Sequence, residues 1–294
     1  MTERMQDIGA PGSLAGKAVL VTGAGRGIGF ATALHLARSG AAIAVNDVDD
    51  GLAREAANTL ASEGHRAIAV AGSVADWDRC AAMVDQTAQA FGRLDGLVNN
   101  AGLHYRAMPW EEVPERVRAT VEVNVLGAIF CAIHAARLMR GQPGGGAIVN
   151  ITSGAAIGSQ ERAVYGATKG AMLSYTANLA GDLAPHGIRV NAFAPFAATR
   201  MTDPACEEGD HGARSDEFAD IPGPDAMAPV IAWLLSDAAA EVTGSTIRFN
   251  GRQLSLIAPA ALARPIIEQE QWSAAELDHA LGALLRAEGQ PSPR

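Results

Sequence analysis

The chain has 294 residues, 48% of them hydrophobic and 19% charged, a balance that excludes disordered and fibrous proteins and permits one large core. A formal charge of −9 gives no net attraction to phosphate backbones or anionic lipid, so neither nucleic acid nor a membrane is expected as a partner. Cys80, Cys131 and Cys206 are widely separated and lack paired-ligand spacing, which argues against a disulfide framework or structural zinc.

The first residues carry Glu3 and Asp7 where a secretion signal would be apolar, and no apolar run approaches bilayer-spanning length. The expected compartment is the cytoplasm. Residues 1–13 read as a flexible leader, 14–258 as a single dinucleotide-binding and catalytic domain, and 259–294 as an extension. Within the domain, short β-branched runs alternate with Ala-rich stretches of helical period. Seven strands are predicted, at Lys17 to Thr22, Ala42 to Asn46, Ala67 to Ala71, Gly96 to Asn99, Ala147 to Thr152, Ile188 to Phe193 and Ser245 to Phe249. That alternation predicts a Rossmann-type, doubly wound, seven-stranded parallel sheet with helices on both faces and a C-terminal helical extension. Asn150-Ile151-Thr152 matches a glycosylation acceptor, but it falls in a predicted core strand and is set aside.

Thr22-Gly23-Ala24-Gly25-Arg26-Gly27-Ile28-Gly29 follows the first strand and opens a helix. Glycine suits a sharp turn, a backbone approached by pyrophosphate, and close packing of helix on strand. The helix N-terminus then favours phosphate. Gly23, Arg26, Gly27, Ile28 and Gly29 are therefore candidate cofactor contacts. Asp47 ends the second strand, 18 residues beyond Gly29, and is followed by Val48. A carboxylate there suits the adenosine ribose hydroxyls and would repel a 2′-phosphate, which favours NAD over NADP. Arg26 is the competing signal, because it could neutralise a 2′-phosphate. Asp47 could equally be a turn or helix cap with Asp49 and Asp50.

The segment from Thr199 to Pro224 is rich in Gly, Pro and charge and reads as a loop or lid. Its acidic residues around His211 suit a solvated loop, and no metal is assigned. In the tail, Ser273 and Glu276 form a capping box ahead of Leu277, Ala280, Leu281, Leu284 and Leu285. This predicts a terminal amphipathic helix, with Trp272 and Leu277 placed as a staple and Gly289 and Pro291 as stop signals.

With TGAGRGIG at Thr22 to Gly29, NNAG at Asn99 to Gly102, and Tyr165-Gly166-Ala167-Thr168-Lys169, the chain resembles the short-chain dehydrogenase/reductase family over roughly residues 14 to 255. The resemblance implies Tyr165 as catalytic acid or base, Lys169 beside it and on the nicotinamide ribose, and Ser153 as stabiliser of the oxyanion. It implies Asn124 as holder of a proton-relay water. It also implies cofactor contacts at Asn100, Ala101, Gly102 and Pro195, with Thr199 at the carboxamide. Ser73-Val74 stands where many members have Asp-Val, which leaves the adenine contact to backbone or hydroxyl.

Independently of the family, Tyr165 and Lys169 are i and i+4 on a predicted helix and project from one face. A nearby ammonium, helped by the positive nicotinamide of an oxidised complex, should depress a phenol that titrates at about 10 when free, so Tyr165 could exchange protons near neutrality. The VND ending of strand two, the APFAATRMT segment and the C-terminal extension look similar to a branch containing hydroxyacyl-CoA and 17β-hydroxysteroid dehydrogenases. His104, Tyr105, Arg106, Met108, Trp110 and the Phe196 to Phe218 stretch are expected to border a pocket for a hydrophobic secondary alcohol or ketone. The alternatives are an NADPH-dependent biosynthetic ketoreductase and a non-catalytic cofactor-sensing or scaffold protein. The family resemblance further implies a homodimer or homotetramer through the helices carrying Asn124 and Tyr165.

Overall fold

Strand residues of this chain are apolar on both sides of the sheet, and the structure, a computed structural model, buries both sides. It describes residues 13–197, 221–258, 260 and 266–287, and the chain divides into two compact units, Met1–Ala258 and Pro259–Arg294. The strands are β1 (Ala18–Val21), β2 (Ala42–Val45), β3 (Ala67–Ala69), β4 (Gly96–Asn99), β5 (Gly146–Ile151), β6 (Ile188–Pro195), β7 (Thr246–Phe249) and β8 (Leu254–Ile257). They form one sheet in the order β3-β2-β1-β4-β5-β6-β7-β8.

Every pairing is parallel except β7 with β8. The expected seven strands are therefore eight, and the extra one is an antiparallel edge. Asn250 makes that hairpin, its side-chain carbonyl accepting from the backbone N–H groups of Arg252 (3.1 Å) and Gln253 (2.7 Å), while Gly251 takes a φ of +88°.

Strand alternation sorts the core into two layers. Val19, Val21, Ile43, Val45, Val149 and Phe193 pack on one face, beneath α1 (Gly27–Arg38), α2 (Asp50–Ser62) and α7 (Ala228–Leu235). Leu20, Ala44, Leu97, Ile148 and Val190 point to the other, covered by α3 (Trp77–Phe91), α5 (Ala128–Met139) and α6 (Ala163–Leu183). Cys80 on α3 and Cys131 on α5 meet in this second layer, sulfur to sulfur at 3.4 Å.

The helix from α4 (Pro114–Val121) to α5 is continuous through a π-helical stretch, Glu122–Gly127. At 26 residues and a mean hydropathy of 1.6 over its most apolar window, it is long and apolar enough to cross a membrane by length and composition. Those 26 residues include Glu115, Arg116, Arg118, Glu122 and Arg137, so the helix contains no continuous apolar run of spanning length. In this fold α5 buries Cys131, Ala132, Ala135 and Met139 in the layer that covers the sheet.

A ladder of polar side chains crosses the second layer. Asn99 Nδ2 donates to Asn150 Oδ1 (2.9 Å) and Asn150 Nδ2 to Thr176 Oγ1 (3.0 Å), all buried. This ladder ties β4, β5 and α6 together and keeps Asn150 fully inside. In the C-terminal unit, α8 (Ala274–Ala287) opens on the expected capping box, with Ser273 N donating to Glu276 Oε2 at 2.8 Å and Glu276 N to Ser273 Oγ at 3.3 Å. Thr199, His211, Gly289 and Pro291 lie outside the described residues.

Asn150→Ala removes a buried partner from both neighbours and should destabilise the fold by about 2 kcal/mol. Thermal unfolding followed by circular dichroism should show a midpoint roughly 4–8 °C lower.

Candidate active site

Between β1 and β4 the strand order reverses, opening the crevice in which such sheets bind ligands. The glycine-rich turn closes one side of it. Gly23 has a φ of +60°, and a Cβ there would come within 2.8 Å of Ala101 Cα. Gly29 packs into the turn so tightly that a Cβ would meet the Gly23 carbonyl at 2.3 Å. Both positions require glycine on steric grounds.

Arg26 occupies the N-cap of α1 with no side-chain cap bond, and the Cβ direction of Gly27 opens on space free of protein atoms within 4 Å. Ile28 is half-buried and packs on the core. Uncapped helix N–H groups beside open space fit a pyrophosphate.

Asp47 stands across from this turn. Its Oδ2 accepts from Gly25 N (3.1 Å) and its Oδ1 from Asp49 N (3.2 Å), so it caps the turn, while Asp49 accepts from Leu52 N and caps α2. Val48 is 74% exposed. Ser73 Oγ accepts from Ala75 N at 3.2 Å, and Val74 is buried against Gly127, where a Cβ would meet Val74 Cγ2 at 2.5 Å. Asn100 Nδ2 donates to the carbonyls of Thr22 and Gly23, both at 2.9 Å. The Asn100 and Ala101 amides both donate to Thr22 Oγ1, at 3.0 and 3.1 Å. Pro195 closes β6 against Phe249.

Three elements bring the four implied catalytic residues to the carboxyl edge. Ser153, just past β5, accepts from Ala155 N at 3.2 Å and hydrogen-bonds the Tyr165 hydroxyl. Lys169 is buried one helical turn further along α6. Its Nζ donates to Ile151 O at 2.9 Å and lies 5.7 Å from the Tyr165 ring centroid. Asn124, in the π-helical stretch, accepts from Leu103 N (2.7 Å) and donates to Leu103 O (2.9 Å) and Thr168 Oγ1 (3.0 Å). Gly102 fits between them, since a Cβ would lie 3.3 Å from Asn124 Oδ1 and 3.5 Å from Lys169 Nζ.

The electrostatics differ from the sequence expectation. Burial is the largest influence on Tyr165 and pushes its phenol above the ordinary value, opposed by the Ser153 hydrogen bond and the Arg162 charge. Lys169 is itself pushed down to about 8 by burial. The expected depression of the phenol by the Lys169 ammonium is therefore corrected: desolvation exceeds the local charge effects, and Arg162 is the cation that acts on the phenol.

Two further residues touch this site: His104, expected at the pocket border, and Arg162, absent from the sequence-derived set. His104 stands edge-on to Tyr165, with ring centroids 4.6 Å apart, and Arg162 Nε donates to His104 Nε2 at 3.1 Å. Of the other expected pocket residues, Tyr105 lies under Arg116, Arg106 pairs with Glu161, and Trp110 is exposed. Their separation by 58 positions leaves the His104–Arg162 pairing without a local signature, although the position of His104 just after NNAG marks it as a loop residue at the strand end.

A family model described as short chain dehydrogenase matches residues 17–209. A short chain dehydrogenase/reductase of Aspergillus oryzae is 39% identical over 254 residues, covering 83% of this chain and 97% of that protein. The cis-4-hydroxycyclohexanecarboxylate dehydrogenase of Sinomonas cyclohexanicum is 38% identical, covering 81% and 97%. Among solved structures, a short chain dehydrogenase from Mycobacterium avium superposes with a TM-score of 0.83 at 33% identity, covering 96% of this chain and 98% of that one. The chain belongs to the short-chain dehydrogenase/reductase family. It is an oxidoreductase acting on CH–OH groups, in a family whose members bind NAD(P).

Lys169 gives a pH signature. Its folded value is about 8 against 10.5 for the free side chain, so between those pH values the unfolded chain binds more protons and stability rises with pH. Relative to Lys169→Met, the wild type should gain about 1 kcal/mol per pH unit from pH 8 to 10, measured by urea unfolding.

Proposed function

We propose that this enzyme moves a hydride between the nicotinamide of NAD and a secondary alcohol or ketone, with Tyr165 exchanging the proton on the substrate oxygen. The observation that carries this reading is the hydrogen-bonded Ser153–Tyr165 pair with buried Lys169 beside it at the carboxyl edge of β5. A bound nicotinamide would supply the hydride acceptor or donor and, when oxidised, a further positive charge. The turn at Gly23, Gly27, Ile28 and Gly29 would hold its pyrophosphate, with Asn100, Ala101, Gly102, Pro195 and Thr199 toward the nicotinamide and Ser73 and Val74 toward adenine.

Each protein group has a distinct task. The buried phenol stays protonated and can donate to a ketone oxygen. Ser153 presents its hydroxyl to the same oxygen and stabilises negative charge there. Lys169 fixes its ammonium on the Ile151 carbonyl and reaches the nicotinamide ribose. Asn124 grips the Leu103 backbone and so positions Gly102, and the second lone pair of its Oδ1 can hold a relay water. The Sinomonas relative, named for a ring alcohol, supports a secondary alcohol as substrate.

Asp47 supports NAD, since its carboxylate faces the turn at Gly25 and would repel a 2′-phosphate. One observation favours the NADPH-linked ketoreductase as second reading: Arg26 is exposed and has no ion pair among the described residues. The assembly expected is a homodimer or homotetramer through α4, α5 and α6. Val121 and Leu126, each 38% exposed, offer apolar surface for it, and light scattering should give a mass above one chain.

Tyr165→Phe should lower kcat/KM about 10³-fold in a spectrophotometric assay while NADH binding by fluorescence persists. NADH should bind at least about tenfold more tightly than NADPH, and Asp47→Ser should erase that ratio.

A further inference from the structure

Arg162 lies three residues ahead of Tyr165, at the N-cap of α6, and is half-buried. Its Nε donates to His104 Nε2 at 3.1 Å and its Nη1 to Ser159 Oγ at 2.9 Å. Neither acceptor carries negative charge. Burial, followed by the Arg162, Arg106 and Lys169 charges, holds His104 down at about 4, so the imidazole is neutral at physiological pH. Among the described residues no carboxylate pairs with Arg162, and its Nη2 donates to none of them.

The acid that could have neutralised it is next to it in sequence and is directed elsewhere. Glu161 pairs with Arg106 at 3.0 Å and takes a φ of +57°, a left-handed conformation that non-glycine residues seldom adopt. Its carbonyl accepts from Ala107 N at 3.0 Å, and a bridge joins Ala107 to Arg162. The loop after β4 is thus pinned to the start of α6, with the guanidinium held by the ring that flanks the catalytic phenol.

A guanidinium is planar, always charged and matched to carboxylate geometry. Fixed on two neutral acceptors within electrostatic reach of the Tyr165 hydroxyl, it lacks only an anion. We infer that Arg162, oriented by His104 and Ser159, is the subsite for a carboxylate carried by the substrate, which makes the substrate class hydroxycarboxylates and the matching ketoacids. This rests on the alcohol dehydrogenase reading of the same site. A carboxylate seated there would lie beside the ring that flanks Tyr165, so its distance from the alcohol would decide which hydroxyl reacts.

The test compares 3-hydroxybutyrate and 3- and 4-hydroxycyclohexanecarboxylate, each beside its methyl ester, with NAD and the wild-type enzyme. The esters keep the reacting alcohol and remove the charge. The expected result is a kcat/KM at least tenfold higher for an acid than for its ester, carried by KM. Arg162→Gln should bring that ratio close to one, and Arg162→Lys should restore part of it. An arginine that only ties the loop to α6 would lower acid and ester together and leave the ratio unchanged. Equal use of acids and esters by the wild type overturns the carboxylate subsite and leaves the dehydrogenase reading standing, and needs no variant to fold. No turnover of any acid or ester by protein that binds NADH overturns both.

Discussion

Thr22 holds the glycine-rich turn and the carboxyl edge of the sheet in one frame. Its hydroxyl accepts from the backbone of Asn100 and Ala101, and the Asn100 amide donates back to the carbonyls of Thr22 and Gly23. Four hydrogen bonds therefore cross the point where the sheet order reverses, between the ends of β1 and β4. Asn46 braces the other side, accepting from Gly23 N and donating to the carbonyls of Val70 and Gly72. Buried polar groups that satisfy one another in this way are costly to rearrange. Gly102, Asn124 and Lys169 inherit their spacing from that frame, because Leu103 follows directly on the strand end that Thr22 fixes.

The second constraint is desolvation. Removing Lys169 from water lowers its hold on a proton, and removing Tyr165 from water strengthens the phenol's. The two shifts converge, bringing ammonium and phenol closer in acidity than either is in water. Such a pair can redistribute charge when another cation arrives beside it. The work done by burial is therefore preparatory: it narrows the gap, the Arg162 charge acts on what remains, and an oxidised nicotinamide, once bound, would add to it.

Much of this arrangement was legible in the sequence, for physical reasons that can be named. The strands were readable because both faces are buried and their apolar runs are continuous, and α6 because its Ala-rich period carries Tyr165 and Lys169 on one face. The glycine turn announced itself through sterics alone. β8 escaped, being four residues long and mostly exposed, although Asn250-Gly251 ahead of it is a recognised hairpin signal. The π-helical stretch around Asn124 left no trace in composition. The acidity of Tyr165 was misjudged because residue types specify charges and not burial. Contacts between distant positions, such as His104 with Arg162, have no local pattern at all.

Asp47 carries a consequence for how a dinucleotide enters. By accepting from Gly25 N and Asp49 N, its carboxylate already serves as an internal anion for the turn proposed to take the dinucleotide. For the Asp47 carboxylate, binding a ribose would then be an exchange of partners, whereas the uncapped N–H groups at the start of α1 would gain theirs outright. A turn that supplies its own counterpart keeps its shape while empty, so less ordering remains to be done on binding, at the expense of some strength in the bound state.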